Sequence, residues 1–276
     1  MIREILVLGA TGKTGRRLLP LLDGRGVRAK PASRTERRGY VPFDWARPQT
    51  WLPAVAGVEA IYLVPPDLVE DPSADIAAFL DVAHGAGARR VVVLSSLGLT
   101  FPGEPPASGR RKVEAAIMRP DFEWTVIRPS GFHQNFSEGF LAPGVHAGLV
   151  RTATGAGKAA LVDAHDIAAV TAMALSGDGH DNQAYAVTGP EALSFGEAVQ
   201  IIAGATGRPI GHGALSEGEF RALLLGFGLP ADYADVVVRD QIAIGDGFGA
   251  EVTEVVARVT GRRPIDFRQF AATAFR

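Results

Sequence analysis

Short apolar runs recur through the first half of the chain, and each is followed by a stretch with helical spacing. The four clearest runs cover residues 5–8, 60–64, 91–94 and 124–127. A strand that is apolar at every position suits a parallel sheet whose two faces are both covered by helices. The pattern therefore predicts an α/β fold, a Rossmann-type doubly wound parallel sheet.

Weaker patterns extend this prediction, and after residue 130 the pattern changes to mostly helices. Further strands are predicted at 27–32, 40–43 and 185–188, and helices at 14–23, 73–84, 109–118, 166–175, 198–205, 220–225 and 252–259. Ser194 with Glu197, and Ser216 with Glu219, have the spacing of capping boxes that begin two of these helices. Asp166 is expected to cap the helix that follows it.

The first strand leads into a loop with three glycines, GATGKTG at 9–15, and then into a helix. In this context Gly9 allows a tight turn, Gly12 lets the backbone approach a pyrophosphate, and Gly15 lets the helix pack closely on the strand. The helix N-terminus offers N–H groups and a positive dipole to phosphates. The motif predicts dinucleotide binding, although a turn without a ligand would show the same glycines.

The end of the second strand indicates which dinucleotide binds. NAD enzymes usually place an acidic residue there for the ribose 2′-hydroxyl, but this segment reads KPASR at 30–34, with no acid before Glu36. Arg34 can pair with a 2′-phosphate, with Ser33 and Lys13 as helpers. Arg34 could instead be a solvated surface residue. The pattern favours NADPH or NADP.

Composition narrows the function classes. The net charge of -2 gives no basic field for nucleic acid. The absence of cysteine excludes disulfides and a cysteine nucleophile. The six histidines have no metal-binding spacing, so no metal is expected. No apolar run reaches the about 18 residues of a membrane span. We expect a cytoplasmic protein, a monomer or homodimer, that acts on a small-molecule substrate without nucleic acid or membrane.

Several motifs resemble the NmrA-like branch of atypical short-chain dehydrogenases/reductases, over almost the whole chain. They are the glycine loop, VVLSS at 92–96, WTVIRP at 124–129, VDAHDIA at 162–168 and VTGPEALSF at 187–195. Within that branch, FDW at 43–45, YLVPP at 62–66 and NFSEGF at 135–140 are most similar to bacterial relatives of ergot-alkaloid reductases, the agroclavine/festuclavine dehydrogenase type.

This resemblance implies an NAD(P)-binding Rossmann domain over 1–150, with 160–190 returning to the sheet. It also implies a mostly helical substrate-binding lobe over 191–276 that roofs a substrate cleft. The same branch contains NADP-sensing regulators that perform no redox chemistry. Two functions therefore stay open, an NADPH-dependent reductase and a non-catalytic NADP-sensing regulatory protein.

Short-chain dehydrogenases commonly use a tyrosine four residues before a lysine as their proton donor. Lys112 fits the lysine position, but Ser108 stands in the tyrosine position, and no tyrosine lies between Tyr62 and Tyr185. A serine hydroxyl is a much poorer acid than a phenol. We therefore expect hydride transfer to an acceptor that needs little acid catalysis, first an imine or iminium and second an enone or quinone.

The segment after the sixth strand carries the remaining candidates. Phe132 is placed to pack against the nicotinamide, and His133 could donate a proton at neutral pH or be a structural residue. The candidate catalytic residues are Lys112, His133 and Ser108. The candidate cofactor contacts are Gly9, Thr11, Gly12, Lys13, Thr14, Gly15, Ser33, Arg34, Asp44, Pro65, Pro66, Ser95, Ser96, Lys112, Pro129 and Phe132.

Overall fold

A computed structural model describes residues 4–275, and its largest feature is a sheet of seven strands. The strands of this part of the chain are β1 (Glu4–Val7), β2 (Arg28–Ser33), β3 (Val41–Pro42), β4 (Ala60–Leu63), β5 (Arg90–Leu94), β6 (Glu123–Pro129), β7 (Leu149–Thr152), β8 (Lys158–Ala159), β9 (Gln183–Val187), β10 (Leu193–Ser194) and β11 (Gly211–Ala214). The helices are α1 (Gly15–Asp23), α2 (Trp51–Val55), α3 (Ser73–Gly85), α4 (Gly109–Ile117), α5 (Asn135–Glu138), α6 (Ala142–Ala147), α7 (Ala164–Ser176), α8 (Phe195–Thr206), α9 (Glu217–Gly226), α10 (Ala231–Gly245), α11 (Val255–Thr260) and α12 (Phe267–Ala274).

The strand order of the large sheet is β3-β2-β1-β4-β5-β6-β9. The pairings between β3 and β2, β2 and β1, β1 and β4, β4 and β5, and β5 and β6 are all parallel. The chain winds outward in one direction from β1 and in the other from β4, so the carboxyl ends of these two strands mark the switch point at which such sheets bind ligands. The predicted Rossmann-type fold is confirmed.

The described residues pack as two compact units. The first comprises residues 4–96, 106–128 and 167–185, and the second comprises 97–105, 129–166 and 186–275. The sequence places a boundary after residue 150, whereas the structure packs residues 129–150 with the second unit. The pairing of β7 with β11 explains part of this difference, because it ties residues 149–152 to the later part of the chain.

An aromatic cluster supports the first unit beside β3. Phe43, Trp45, Trp51 and Phe79 stack edge to face, with ring centroids 5.1–6.1 Å apart. Edge-to-face pairs add stabilisation to the burial of the rings themselves. The cluster packs α2 and α3 against the turn after β3, and thereby fixes the FDW motif.

The second unit is built mainly from helices, as the sequence predicts. Both capping boxes are present, since Ser194 accepts from the Glu197 amide and Ser216 from the Glu219 amide, and each glutamate accepts in return. The long helix α10 and the terminal helix α12 were not predicted from the sequence. None of the helices between residues 4 and 275 is long and apolar enough to cross a membrane.

The expected capping role of Asp166 is wrong, because Asp163 caps α7. The Asp163 carboxylate accepts the His165 amide at 2.7 Å. The Asp166 carboxylate accepts the Ile265 amide and lies 2.7 Å from the Arg262 guanidinium. Burial raises the pKa of Asp166 in spite of these two partners. Asp166 therefore anchors the segment before α12 within the second unit, a contact that sequence spacing does not reveal.

Candidate functional site

The glycine loop at the end of β1 needs two of its glycines for the fold itself. Gly9 has a φ of 59°, in the left-handed region that favours glycine. A Cβ on Gly15 would lie 2.2 Å from the Gly9 carbonyl oxygen. No side chain fits there, so the start of α1 approaches the end of β1 as closely as the motif predicts.

Gly12 stands apart from these two glycines. Its amide donates to the Gly9 carbonyl at 2.9 Å, which closes the turn. A Cβ on Gly12 would meet only that same oxygen, at 3.2 Å, and the residue is exposed together with Thr11. The Cβ position is tight against this one backbone oxygen and, its chain neighbours apart, has no other neighbour within 4 Å among residues 4–275, so the outer side of the loop is open to a ligand.

The start of α1 keeps its positive end available. Thr14 is the N-cap residue, but its hydroxyl makes no capping bond and lies 2.8 Å from the hydroxyl of Tyr62. Burial raises the pKa of Tyr62 and keeps the phenol neutral. The first turn of α1 contains no acidic residue. An anion is the natural partner for such a helix end.

The end of β4 lies beside this loop. One Val64 methyl carbon would contact a Cβ on Gly9 at 3.2 Å, and the Val64 carbonyl accepts from the Trp45 indole at 3.3 Å. Pro65 and Pro66 follow, both half-buried. The structure thus brings these prolines and the glycine loop together at the switch point between β1 and β4.

The end of β2 carries Arg34, which is exposed, and Ser33, whose hydroxyl accepts from the Thr35 amide at 3.2 Å. The nearby Arg47 was missed by the sequence analysis, because it follows β3 rather than β2. Its guanidinium donates to the Arg34 carbonyl at 3.4 Å and to the Asp44 carboxylate at 2.9 Å. The structure therefore places the Arg47 guanidinium beside the Arg34 backbone at the end of β2.

Asp44 is part of a turn. Its carboxylate accepts the Ala46 amide at 3.1 Å as well as the Arg47 guanidinium. These two bonds hold the pKa of Asp44 below its ordinary value, with the backbone amide as the larger cause. These contacts show that Asp44 caps the turn. Its contact with the cofactor stays a prediction.

Ser108 and Lys112 lie on α4 in different settings. Ser108 is buried and is the N-cap of the helix, where its hydroxyl accepts the Arg111 amide at 3.4 Å. The Lys112 ammonium is half-exposed and lies 2.5 Å from the Asp71 carboxylate, which raises the pKa of the lysine. The structure thus gives Ser108 a capping role and gives Lys112 an acidic partner from the loop before α3.

A buried carboxylate lies where β5 and β6 end. Glu114, on the sheet-facing side of α4, accepts the Ser95 hydroxyl at 2.5 Å and is held by the Arg128 guanidinium through bonds of 2.9 and 2.5 Å. Glu114 was absent from the predicted site. A helix residue facing a sheet is normally apolar, so a glutamate between Val113 and Ile117 was the available signal.

The segment after β6 belongs to the second unit. Phe132 is half-buried, and its backbone forms a bridge with Val162. His133 is 1% exposed, with Nε2 2.9 Å from the Leu161 carbonyl. Its ring packs against Phe267 and Phe270 at centroid distances of 4.9 and 5.3 Å. These contacts favour a structural role for His133, and its role as a proton donor stays a prediction.

The second nitrogen of His133 faces a strongly acidic group. Nδ1 lies 3.7 Å from the Asp163 carboxylate, beyond hydrogen-bond distance. Burial acts to raise the pKa of Asp163, but His133, the His165 amide and the Gln134 amide group together lower it to about 2. Asp163 is therefore an ionised, buried carboxylate within the second unit.

Comparison with known families and proteins agrees with this geometry. A family model described as NAD(P)H-binding matches residues 9–178. The chain is 38% identical over 275 residues to YesF, an uncharacterized oxidoreductase of Bacillus subtilis, with 97% of this chain and 94% of YesF covered. It is 32% identical to an NAD(P)H azoreductase of Xenophilus azovorans and 30% identical to festuclavine synthase I of Penicillium roqueforti, with 97% of this chain and 96% of each relative covered.

Solved structures show the same fold. An NADPH-dependent quinone oxidoreductase of Escherichia coli in complex with NADPH matches with a TM-score of 0.83 and 21% identity. The match covers 99% of this chain and 100% of that structure. The likeness in architecture therefore extends beyond the glycine loop to the helices of the second unit.

Proposed function

Since the chain belongs to the NAD(P)H-binding family, we propose that it is an NADPH-dependent reductase that transfers hydride to a small, largely apolar unsaturated substrate. Its full-length similarity to the oxidoreductase YesF and to festuclavine synthase I confirms the resemblance seen in the motifs. The relatives named above carry the names of redox enzymes or of a synthase. That favours turnover over the alternative, an NADP-sensing regulator.

The open glycine loop carries the proposal for the cofactor. Gly12 is exposed and its Cβ position is nearly free of protein contacts, which suits close approach of a pyrophosphate. The uncapped start of α1 supplies amide groups beside it. Pro65 and Pro66 border the same edge of the sheet. NADPH, when bound, supplies the hydride, and the residues of this chain bind and orient it.

Arg34 carries the proposed preference for NADPH. Its side chain is exposed at the end of β2, and Arg47 lies against its carbonyl. A planar guanidinium matches a phosphate through paired hydrogen bonds. Arg47 is partly neutralised by Asp44, so Arg34 is the better candidate for the 2′-phosphate.

The substrate class follows from the proton chemistry. Ser108 caps α4, and no tyrosine occupies its position. Transfer of hydride to an iminium creates no oxyanion, so that transition state needs no acid. A quinone or enone could take its proton from water. The names of the azoreductase and of the quinone oxidoreductase support conjugated acceptors of this kind.

Lys112 is proposed to contact the nicotinamide ribose. An ammonium group has three donor protons, so it can keep Asp71 as a partner and still donate to a ribose hydroxyl. In this arrangement Asp71 directs the lysine and keeps it charged. Lys112 therefore orients the cofactor rather than activating an acid.

The experiment is a measurement of NADPH oxidation by the purified protein with an iminium, a quinone, an enone and an azo dye. We expect turnover with at least one of these acceptors, and none in a Gly12→Val variant measured in parallel. Tight NADP binding without turnover on any acceptor would contradict the reductase and would support the sensor.

A further inference from the structure

We infer that Glu114 is a positioning residue that makes the Ser95 hydroxyl a hydrogen-bond acceptor for an N–H group of the bound ligands. The inference rests on the proposed function, because it concerns what lies at the end of β5 when the cofactor and substrate are bound. It assigns a role to a residue that neither the glycine loop nor the Ser108 and Lys112 pair involves.

The charge state of the cluster comes from its geometry. Glu114 is 4% exposed, and both of its carboxylate oxygens are held by the Arg128 guanidinium. An arginine side chain does not lose its proton in a protein. A buried carboxylate in a two-bond pair with such a cation is an acceptor only. The third bond of the cluster must therefore be donated by Ser95.

The polarity of Ser95 follows from this. A serine hydroxyl has one proton and two acceptor positions. With the proton directed to Glu114 at 2.5 Å, only the acceptor positions remain for a ligand. Ser95 can therefore receive a hydrogen bond from an N–H group, but it does not donate a proton to a substrate.

The location of Ser95 suits a ligand contact. Its amide donates to the Ile127 carbonyl at 2.7 Å, which extends the pairing of β5 with β6 and fixes the backbone. The residue is half-buried, so its side chain is partly open. The carboxyl ends of parallel strands are where such sheets bind ligands. Two ligands can offer an N–H there, namely the nicotinamide carboxamide and an imine substrate that is protonated on its nitrogen.

A second arginine–glutamate pair between β5 and β6 provides a control for the loss of an ion pair away from the ligand-binding edge. Arg90 and Glu123 lie opposite each other at the amino ends of β5 and β6, with a contact of 2.8 Å. Arg90 is 8% exposed, whereas the Glu123 side chain is half-exposed, so in this pair the guanidinium rather than the carboxylate is the buried partner. Loss of Glu123 tests what the removal of such a pair does to stability alone, because the amino ends of the strands are not the ligand-binding edge.

The experiment measures kcat and KM with an iminium and with a quinone, and the Kd of NADP, for Ser95→Ala, Glu114→Gln, the double variant and Glu123→Gln. We expect Ser95→Ala and Glu114→Gln each to change one of these quantities about tenfold, as a lower kcat, a higher KM or a higher Kd. We expect the double variant to lose no more than either single variant, because Glu114 acts through Ser95. Glu123→Gln should leave all three quantities unchanged.

An NADP analogue distinguishes the two sources of the N–H group, and a further variant keeps the test possible if Glu114→Gln does not fold. If the cofactor carboxamide is the donor, an NADP analogue with an acetyl group in place of the carboxamide binds the wild type more weakly than NADP does. The analogue and NADP then bind Ser95→Ala with equal affinity. If the substrate is the donor, only the iminium KM changes. Glu114→Asp keeps a negative charge beside Arg128, but its shorter side chain moves the carboxylate away from Ser95. If Glu114→Gln does not fold, Glu114→Asp tests the role of Glu114 instead.

Each outcome has one meaning. Losses that multiply in the double variant, or a folded Glu114→Gln with wild-type behaviour, overturn the role of Glu114. A fall in the Ser95→Ala rate that depends on pH would show that the serine donates a proton, and would overturn its acceptor role. A wild type without turnover on any acceptor contradicts the proposed function instead, while the NADP binding measurements still test Ser95 and Glu114.

Discussion

The glycine loop after β1 and the segment after β6 both follow strands of the large sheet, yet they use their polar groups in opposite ways. In the loop, Thr11 and Gly12 are exposed, and the start of α1 has no side-chain cap. In the later segment, His133 is buried and holds the Leu161 carbonyl. Both regions carry residues that sequence reasoning selected for function.

The two regions differ in whether backbone groups or a side chain would contact the ligand. A glycine loop binds through backbone groups, which the motif itself leaves free of side chains. A histidine side chain can be used by the fold itself, as His133 is through its Nε2 bond to the Leu161 carbonyl and the packing of its ring. A motif of backbone geometry therefore predicts an open site more directly than a single titratable residue does.

Gly12→Val is the sharpest test of the loop. The new side chain would occupy the space for the pyrophosphate, and we expect NADPH affinity to fall at least about a thousandfold, ~4 kcal/mol. Calorimetric titration measures the affinity, and circular dichroism checks the fold. Gly85→Val, at a glycine whose Cβ position is open, is the control that should bind normally. Near wild-type binding by a folded Gly12→Val would remove the loop from the site.

His133→Ala tests the other side of the comparison. Loss of the ring against Phe267 and Phe270, and of the bond to Leu161, should lower the free energy of unfolding by about 3 kcal/mol. Cofactor affinity should not change. Denaturant unfolding measures the effect, with His146→Ala, an exposed histidine, as the control. If stability were unchanged and activity were lost with a pH-dependent profile, His133 would be the acid after all.

Asp163→Asn probes the charge that faces His133. The folded pKa of about 2 lies below the ordinary 3.8, so ionised Asp163 stabilises the fold above pH 4 by about 2 kcal/mol. This contribution is lost as the pH falls through the folded pKa. The stability difference between wild type and variant should therefore be full at neutral pH and shrink toward about pH 2. Asp178→Asn, on the surface, should show no such trend, and a difference independent of pH would contradict the assignment.

Arg34→Ala tests the ligand side of the comparison. We expect wild type to prefer NADPH over NADH at least tenfold, about 1.4 kcal/mol, and Arg34→Ala to lose that preference. Arg38→Ala, at an exposed position of the same loop, should keep it. Fluorescence titration with both cofactors gives the ratio. Equal affinities in the wild type, or an unchanged ratio in Arg34→Ala, would exclude Arg34.

Ser108→Ala should have the smallest effect. Loss of the N-cap bond to Arg111 should lower stability by about 1 kcal/mol. Reduction of a preformed iminium should hardly change, because that transition state needs no acid. Thermal unfolding and kcat/KM are the two measurements. A large loss of kcat/KM with intact stability would make Ser108 the working acid.

The strands, the glycine loop and both capping boxes could be predicted from sequence, because each depends on residues close together in the chain. Apolar runs specify buried strands, and a loop fixed at both ends by Gly9 and Gly15 needs no distant partner. These features were determined by local sequence alone.

The assignment of polar side chains to fold or to ligand was decided only by tertiary structure. Glu114 meets Ser95 and Arg128 across 19 and 14 positions of sequence, and Asp166 meets Ile265 across 99. A buried polar group must find a partner wherever the packing brings one. Sequence spacing does not show which partner a buried polar group will meet. For this reason Glu114 was missed and Asp166 was given the wrong role.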